Sequence, residues 1–362
     1  MASARSLLPH YLALLYGLAI AFASLEPFAP WLAPEPGTPF FLFASWPARW
    51  WRADMIVNVV AYVPFGFFLA ASSQRRPAPA RVAAALGIGA LLSFALETTQ
   101  MFLPSRDAST LDLLANTAGS VAGAVLALAF ARSPRIHHAL AAFRERWFLP
   151  GKVGDLGLAL LVIWLAVQIN PGIPLFATTF DPDIQLAPAA VAVAPQVDLV
   201  ATLIAAAASA FQLLGVGLFV ALLLRQRRFV GGAVLVLIGS ALLVKGIAAA
   251  LLLKPAAWAH WLSPAVSDGV AAGALLLLAA IWLPRAAQVA LAAIALLSSV
   301  LAPLLTPEML FARAPLSGFN WSYGQLLNFN GLTHAILLAW PIAASMLLFA
   351  LAGRPGWGAA DR

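Results

Sequence analysis

From Leu199 to Leu224 the chain carries no charged side chain. A helix of that length reaches about 39 Å at ~1.5 Å per residue, more than the ~30 Å hydrocarbon core of a bilayer. A run this apolar has few ways to fold. In lipid every backbone N–H and C=O must find a partner within the protein, which leaves helices or closed barrels. The long Ala/Leu/Val runs lack the period-two alternation of a barrel strand, so the segment reads as a membrane helix. Similar windows recur along the 362 residues: spans are expected near 8–25, 55–72, 82–102, 111–131, 155–170, 198–224, 229–253, 268–283, 286–305 and 331–352. The expected fold is an all-α polytopic membrane protein of about ten transmembrane helices. At 62% apolar and 10% charged residues, with a mean hydropathy of +0.91, the chain lies far outside the soluble globular range. Cysteine is absent, which excludes disulfides and thiolate metal sites.

Ten spans put both termini on one side, and the basic residues indicate which. Fifteen of the 21 Lys and Arg fall in the loops and tails of one side, five on the other, and Lys245 lies within a span. The positive-inside rule makes the richer side cytoplasmic, so both termini are expected in the cytoplasm. The net charge of +7 then reflects topology, and no nucleic-acid partner is expected. Residues 11–23, ending in Ala21-Phe22-Ala23, also carry the pattern of a cleavable signal peptide; cleavage would remove one span and leave the orientation of the rest intact.

Three regions are expected: 1–131, a first group of four helices; 132–154, a linker; and 155–362, a group of six. In the linker Ile136, Leu140, Phe143 and Trp147 recur at spacings of 4, 3 and 4, opposite Arg135, Arg144, Glu145 and Arg146. Residues 135–147 therefore read as an amphipathic helix on the inner surface, held by apolar burial and by anionic lipid. The adjacent His137 and His138 face different ways on a helix, and no metal is expected there. The aromatic-rich segments 27–51 and 319–331 suit a belt at the membrane interface or a vestibule on the outer side.

Polar residues break the pattern at one place. Ser93, Glu97 and Gln100 share a face at the outer end of the third span, and the short turn LPSRDAST carries Arg106 into the fourth. There Asp112, Asn116, Gly119 and Gly123 follow at spacings of 4, 3 and 4, one stripe of a helix. Asp54, Asn58 and Tyr62 form a matching stripe on the second span, above Pro64 and Gly66. Glu97 and Asn116 are each about six residues from the turn, so both sit roughly 9 Å below the outer surface. A carboxylate at membrane depth costs at least ~2.5 kcal/mol, so it needs a partner or a hydrated cavity. Either the cluster satisfies itself, with Arg106 pairing Asp107 or Asp112, or it forms an outward-facing site. In the second case Arg106 is the expected anion ligand, because its planar fork donates two parallel hydrogen bonds, and Glu97 or Asp112 is the candidate acid or base. Asn58, Gln100 and Asn116 complete the expected binding set.

The segments NVVAYVPFGFFLA (58–70) and ETTQMFLPSRDASTLDLLANTAGSVAG (97–123) resemble the VanZ-like family of bacterial membrane proteins. Its pattern is occupied by Asn58, Pro64, Gly66, Glu97, Gln100, Arg106, Asp112, Asn116, Thr117, Gly119 and Gly123. The resemblance covers roughly residues 8–131; the later spans inherit nothing from it. It implies a cell-envelope setting, the family taking its name from an accessory factor in teicoplanin resistance, and no agreed reaction. A remote likeness to enzymes acting on lipid headgroups would suit the cluster, by analogy of fold.

Three functions follow as expectations. The first is binding, with or without chemical alteration, of a phosphate-bearing lipid or lipid-linked envelope glycan at the outer leaflet, without a cofactor. No nucleophile elbow, P-loop or zinc-ligand run fixes a reaction, so enzymatic activity stays open. The second is a transporter or flippase for an envelope lipid intermediate, with Lys245 on its path. The third is a non-catalytic accessory factor. Lys245 is too deep to reach the inner surface and is expected to pair with an acid, Asp198 or Asp268, or with backbone carbonyls, unless it reaches the outer interface toward Lys254.

Overall fold

The computed structural model describes residues 6–45, 52–173, 175–176, 199–258, 261–305, 320 and 323–354. Among them the chain is helical throughout: α1 (Leu8–Leu25), α2 (Arg52–Ser72), α3 (Ala78–Gln100), α4 (Thr110–Ala131), α5 (Pro134–Trp147), α6 (Gly151–Val167), α7 (Leu199–Leu223), α8 (Val230–Leu252), α9 (Pro264–Ala280), α10 (Arg285–Leu305) and α11 (Tyr323–Ala352). Every expected span coincides with a helix. Seven helices are long and apolar enough to cross a membrane, and α9 and the first part of α10 are shorter apolar helices. α6, the remaining expected span, has 17 residues and carries Lys152 and Asp155 in its first turns. The protein is therefore a helical multi-pass membrane protein, with seven candidate spans among the described residues. The chain divides into two compact units, Met1–Glu145 and Arg146–Arg362.

In the first unit α2 packs on α4 more closely than side chains permit elsewhere. A Cβ at Gly66 would stand 1.9 Å from the carbonyl oxygen of Ser120, and one at Gly123 would stand 2.0 Å from that of Val63. Only glycine lets two helix backbones come this near, the close approach that small-residue stripes provide in membranes. Pro64, inside α2, removes one i→i−4 bond beside this contact. α3 closes against the same face through Gly89, which abuts the Ser120 side chain. α4 begins at Ser109, whose hydroxyl accepts from the Leu111 N–H at 3.1 Å. α1 lies on α2 and α3, its Tyr16 hydroxyl donating to the Ala61 carbonyl at 3.0 Å.

In the second unit α7 is the central helix, with Leu213, Val216, Leu218 and Phe219 fully buried. It packs on α9 and α10, and α11 packs on α10 and α6. The device of the first unit recurs. Gly269 and Gly273 of α9 face the backbone of Ala206 and Ala210 on α7, a small-residue stripe that GVAAG carries in sequence and that the polar pattern overshadowed. Where α5 ends, Trp147 stacks on Phe229 with ring centroids 4.7 Å apart, and Arg146 and Arg228 lie over the Phe229 ring. Leu149 N–H donates to Leu223 and Arg225 N–H to Trp147, which ties the start of the unit to the α7–α8 turn. Upstream on α5, Ile136, Leu140 and Phe143 stand exposed along one stripe.

Candidate functional site

The polar residues of the first unit assemble in two groups. The inner group joins α2, α3 and α4. Asn58 Nδ2 donates to Asp112 Oδ1 at 2.7 Å, holding the first turn of α4 to α2. Asp112 also lies at the N-terminus of α4, where the unpaired N–H groups favour a negative charge. Glu97, buried near the end of α3, accepts the backbone N–H of Ser109 at 2.8 Å and so folds the turn between α3 and α4 back onto α3. Asn116 Nδ2 donates to Ser93 Oγ at 3.0 Å. The carboxylates of Glu97 and Asp112 are within electrostatic reach of each other, and Asp54 adds its charge from one turn above Asn58.

The fold does not use all of this group's hydrogen-bonding capacity. A carboxylate offers about four acceptor positions. Glu97 and Asp112 each accept one hydrogen bond among the described residues. The Tyr62 hydroxyl, Asn116 Oδ1 and Ser120 Oγ are buried without a partner among the described residues. Tyr62 stands beside Ser93 without a bond of normal geometry and faces Glu97. Buried polar atoms rarely go unpaired in folded proteins, because each costs about 1–3 kcal/mol.

The outer group turns away toward α1. Gln100 Nε2 donates to the Ser24 carbonyl at 2.7 Å. Arg106 Nη2 donates to the Ala23 carbonyl at 3.0 Å, and Nε donates to that of Glu26 at 2.9 Å, with a further contact from Nη2 to Glu26. The last carbonyls of a helix have no partner within it, and a guanidinium at its C-terminus satisfies them and suits the dipole. Burial lowers the Arg106 pKa from its usual value, opposed by the negative charge of Glu26. The guanidinium is thus committed to the end of α1. Neither Asp107 nor Asp112 is among these hydrogen-bond partners. Of the six expected residues, then, Asn58, Glu97, Asp112 and Asn116 come together, whereas Gln100 and Arg106 secure the neighbouring helix.

Two features escaped sequence reading. The carbonyls of Ala23, Ser24 and Glu26 carry no side-chain signal. A groove of about 430 Å³ lies next to the cluster, lined by Trp31, Leu32, Ala33, Thr98, Thr99 and Phe102, and none of the six expected residues lines it. Its threonines are spent locally, Thr98 and Thr99 donating back to the Phe94 and Ala95 carbonyls, which leaves an apolar wall. In the aromatic segment before α2, Phe41 is buried against Phe94, while Phe43 and Trp31 stand exposed.

In the second unit Lys245 is fully buried and donates to the carbonyls of Asn170 and Ile173 at 3.0 and 2.8 Å. Backbone carbonyls, one of the two expected kinds of partner, are what it finds. Asp268 is exposed, and Asp198 lies outside the described residues.

These arrangements define a helical multi-pass membrane protein with a buried polar cluster gathered by glycine-mediated helix contact. Over residues 10–131, about a third of the chain, it matches the VanZ/LLP1 family and is VanZ-like in that segment. No curated protein and no solved structure matched the chain.

Proposed function

We propose that the first unit binds the headgroup of an envelope lipid or lipid-linked glycan at the outer leaflet. The observation carrying this reading is the unused polar capacity of the α2–α3–α4 cluster among the described residues: two carboxylates that each accept one hydrogen bond, with the Tyr62 hydroxyl and Asn116 Oδ1 buried without a described partner. With Arg106 holding α1, two neighbouring carboxylates repel a bare phosphate. They accept from hydroxyl or ammonium groups, so the sugar or amine end of a headgroup fits the cluster and its phosphate stays outside. In this reading Asn58 and Asn116 orient the headgroup, Gln100 and Arg106 position the α1 wall, and Glu97 or Asp112 serves as acid or base if the bound group is altered.

The setting we propose is the bacterial cytoplasmic membrane, with ten spans, both termini cytoplasmic and α5 on anionic lipid of the inner surface. A reporter fused after Arg362 that is active only outside the cytoplasm would overturn the orientation. Purified protein in nanodiscs, incubated with lipid-linked saccharides and with the same lipids lacking the sugar, tests the site. Retention or conversion of the glycan-bearing lipids by wild type but not by Glu97→Gln is expected. Equal retention of both lipid classes by both proteins contradicts the reading. A flippase would instead move the lipid between leaflets of sealed vesicles.

A further inference from the structure

α6 ends at Val167, and the chain continues through Gln168-Ile-Asn-Pro-Gly-Ile173 without regular structure. Pro171 has no N–H, and Gly172 follows it, so the helix cannot continue. Yet Asn170, Pro171, Gly172 and Ile173 are all buried. Their place is deep: Lys245, which contacts them, is the sixteenth residue of α8, about 22 Å along that helix from its start. Irregular backbone at such depth survives only where other groups satisfy its carbonyls. Here one side chain satisfies two. The Lys245 ammonium donates to Asn170 O at 3.0 Å and Ile173 O at 2.8 Å, and no carboxylate accompanies it among the described residues.

The surrounding groups hold these carbonyls rather than the cation. Asn170 Nδ2 donates to Asn330 Oδ1 at 2.8 Å and lies 3.2 Å from Thr333 Oγ1, both on α11, while Asn170 Oδ1 accepts from Gly172 N–H at 2.9 Å. Thr333 in turn donates to the Phe329 carbonyl. A turn with converging carbonyls, locked by side chains of another helix, is the chemistry by which unwound membrane segments coordinate monovalent cations. The oxygen distances suit an ammonium, or an ion the size of potassium, better than the smaller sodium.

We propose that residues 168–173, braced by Asn330 and Thr333, form a monovalent-cation site whose resident cation is the Lys245 ammonium, and that removing this side chain opens the site to free ammonium or potassium. The site is independent of the α2–α4 cluster. It explains why a lysine stands in so apolar a helix with no acid beside it among the described residues.

The test uses the full-length protein in nanodiscs, with thermal unfolding measured in choline, sodium, potassium and ammonium chlorides at equal ionic strength. Wild type is expected to unfold at one temperature in all four. Lys245→Ala is expected to unfold about 5–10 °C lower in choline, the size of shift a few lost kcal/mol gives a unit of this length. It should recover in a saturable way in ammonium and potassium, and less in sodium. Lys245→Met, which keeps an apolar stem in the channel of the lysine, separates packing from charge and should show the same order of salts. A variant that purifies folded only when ammonium or potassium is supplied is the same result in stronger form. Identical unfolding of both variants in the four salts, or failure to fold in any of them, overturns the proposal.

Discussion

Both units bury polar groups at membrane depth, but they do so in opposite ways. In the first, regular helices meet through Gly66, Gly119 and Gly123, and the polar residues line their shared face with capacity to spare. In the second, a helix breaks: one ammonium takes two of the carbonyls it exposes, and two residues of α11 accept from the Asn170 side chain. Among the described residues, the first arrangement leaves carboxylates short of donors. The second gives its cation two backbone carbonyls. Spare hydrogen-bonding capacity marks a place where something else binds, whereas a closed match marks a place that holds the fold.

That contrast can be broken at its strongest point. Gly123→Leu would drive a side chain into the Val63 carbonyl and the Phe67 N–H, both backbone atoms that cannot swing aside. Overpacking costs typically about 1–3 kcal/mol, and a clash with rigid backbone exceeds that, so folded protein should be lost. Gly239→Ala on α8, where a Cβ meets nothing within 4 Å, should change unfolding by well under about 1 kcal/mol. Size-exclusion profiles after heating compare the two. Comparable losses would mean that helix contact in the first unit does not depend on glycine.

Arg106→Lys comes next. Lysine keeps the charge but cannot hold the Ala23 and Glu26 carbonyls with one planar fork. For a half-exposed group the expected loss is about 1 kcal/mol, felt as faster hydrogen exchange at the end of α1. If Arg106 instead grips a ligand, exchange there stays unchanged and ligand retention alone falls. Asn58→Ala removes a hydrogen bond to a charged acceptor, about 1.5 kcal/mol in magnitude, and frees the start of α4. Exchange at residues 110–113 should rise and that at the end of α1 should not.

The sequence was informative where regular spacing carried the information. Asn58, Glu97, Asp112 and Asn116 fall on helical stripes at matched depth, and such stripes converge once three helices pack. Gln100 and Arg106 show where this reasoning stops. Their spacing is right, but their partners are the carbonyls of α1, which have no side-chain identity to read. The Lys245 site was less legible still. Asn170 and Asn330 are 160 residues apart, and the turn that meets Lys245 has no period, so the pattern offered a solitary lysine with either an acid or unnamed carbonyls as its partner. The apolar helices could be delimited to within a few residues because hydropathy reports on a solvent, and lipid imposes its demand on every residue alike.

The account rests on the spare capacity of Glu97 in the first unit, and Glu97→Gln tests it most directly. The amide can still accept the Ser109 N–H through its oxygen, so the turn and the stability should survive with little change. What it loses is the titratable group and one acceptor face. Native mass spectrometry of wild type and Glu97→Gln, released from matched membranes, reads the lipids each retains. The expected result is a hydroxyl- or amine-bearing envelope lipid bound to wild type and lost at least tenfold, roughly 1.4 kcal/mol, from an equally stable variant. The same lipids at the same occupancy in both proteins would contradict it.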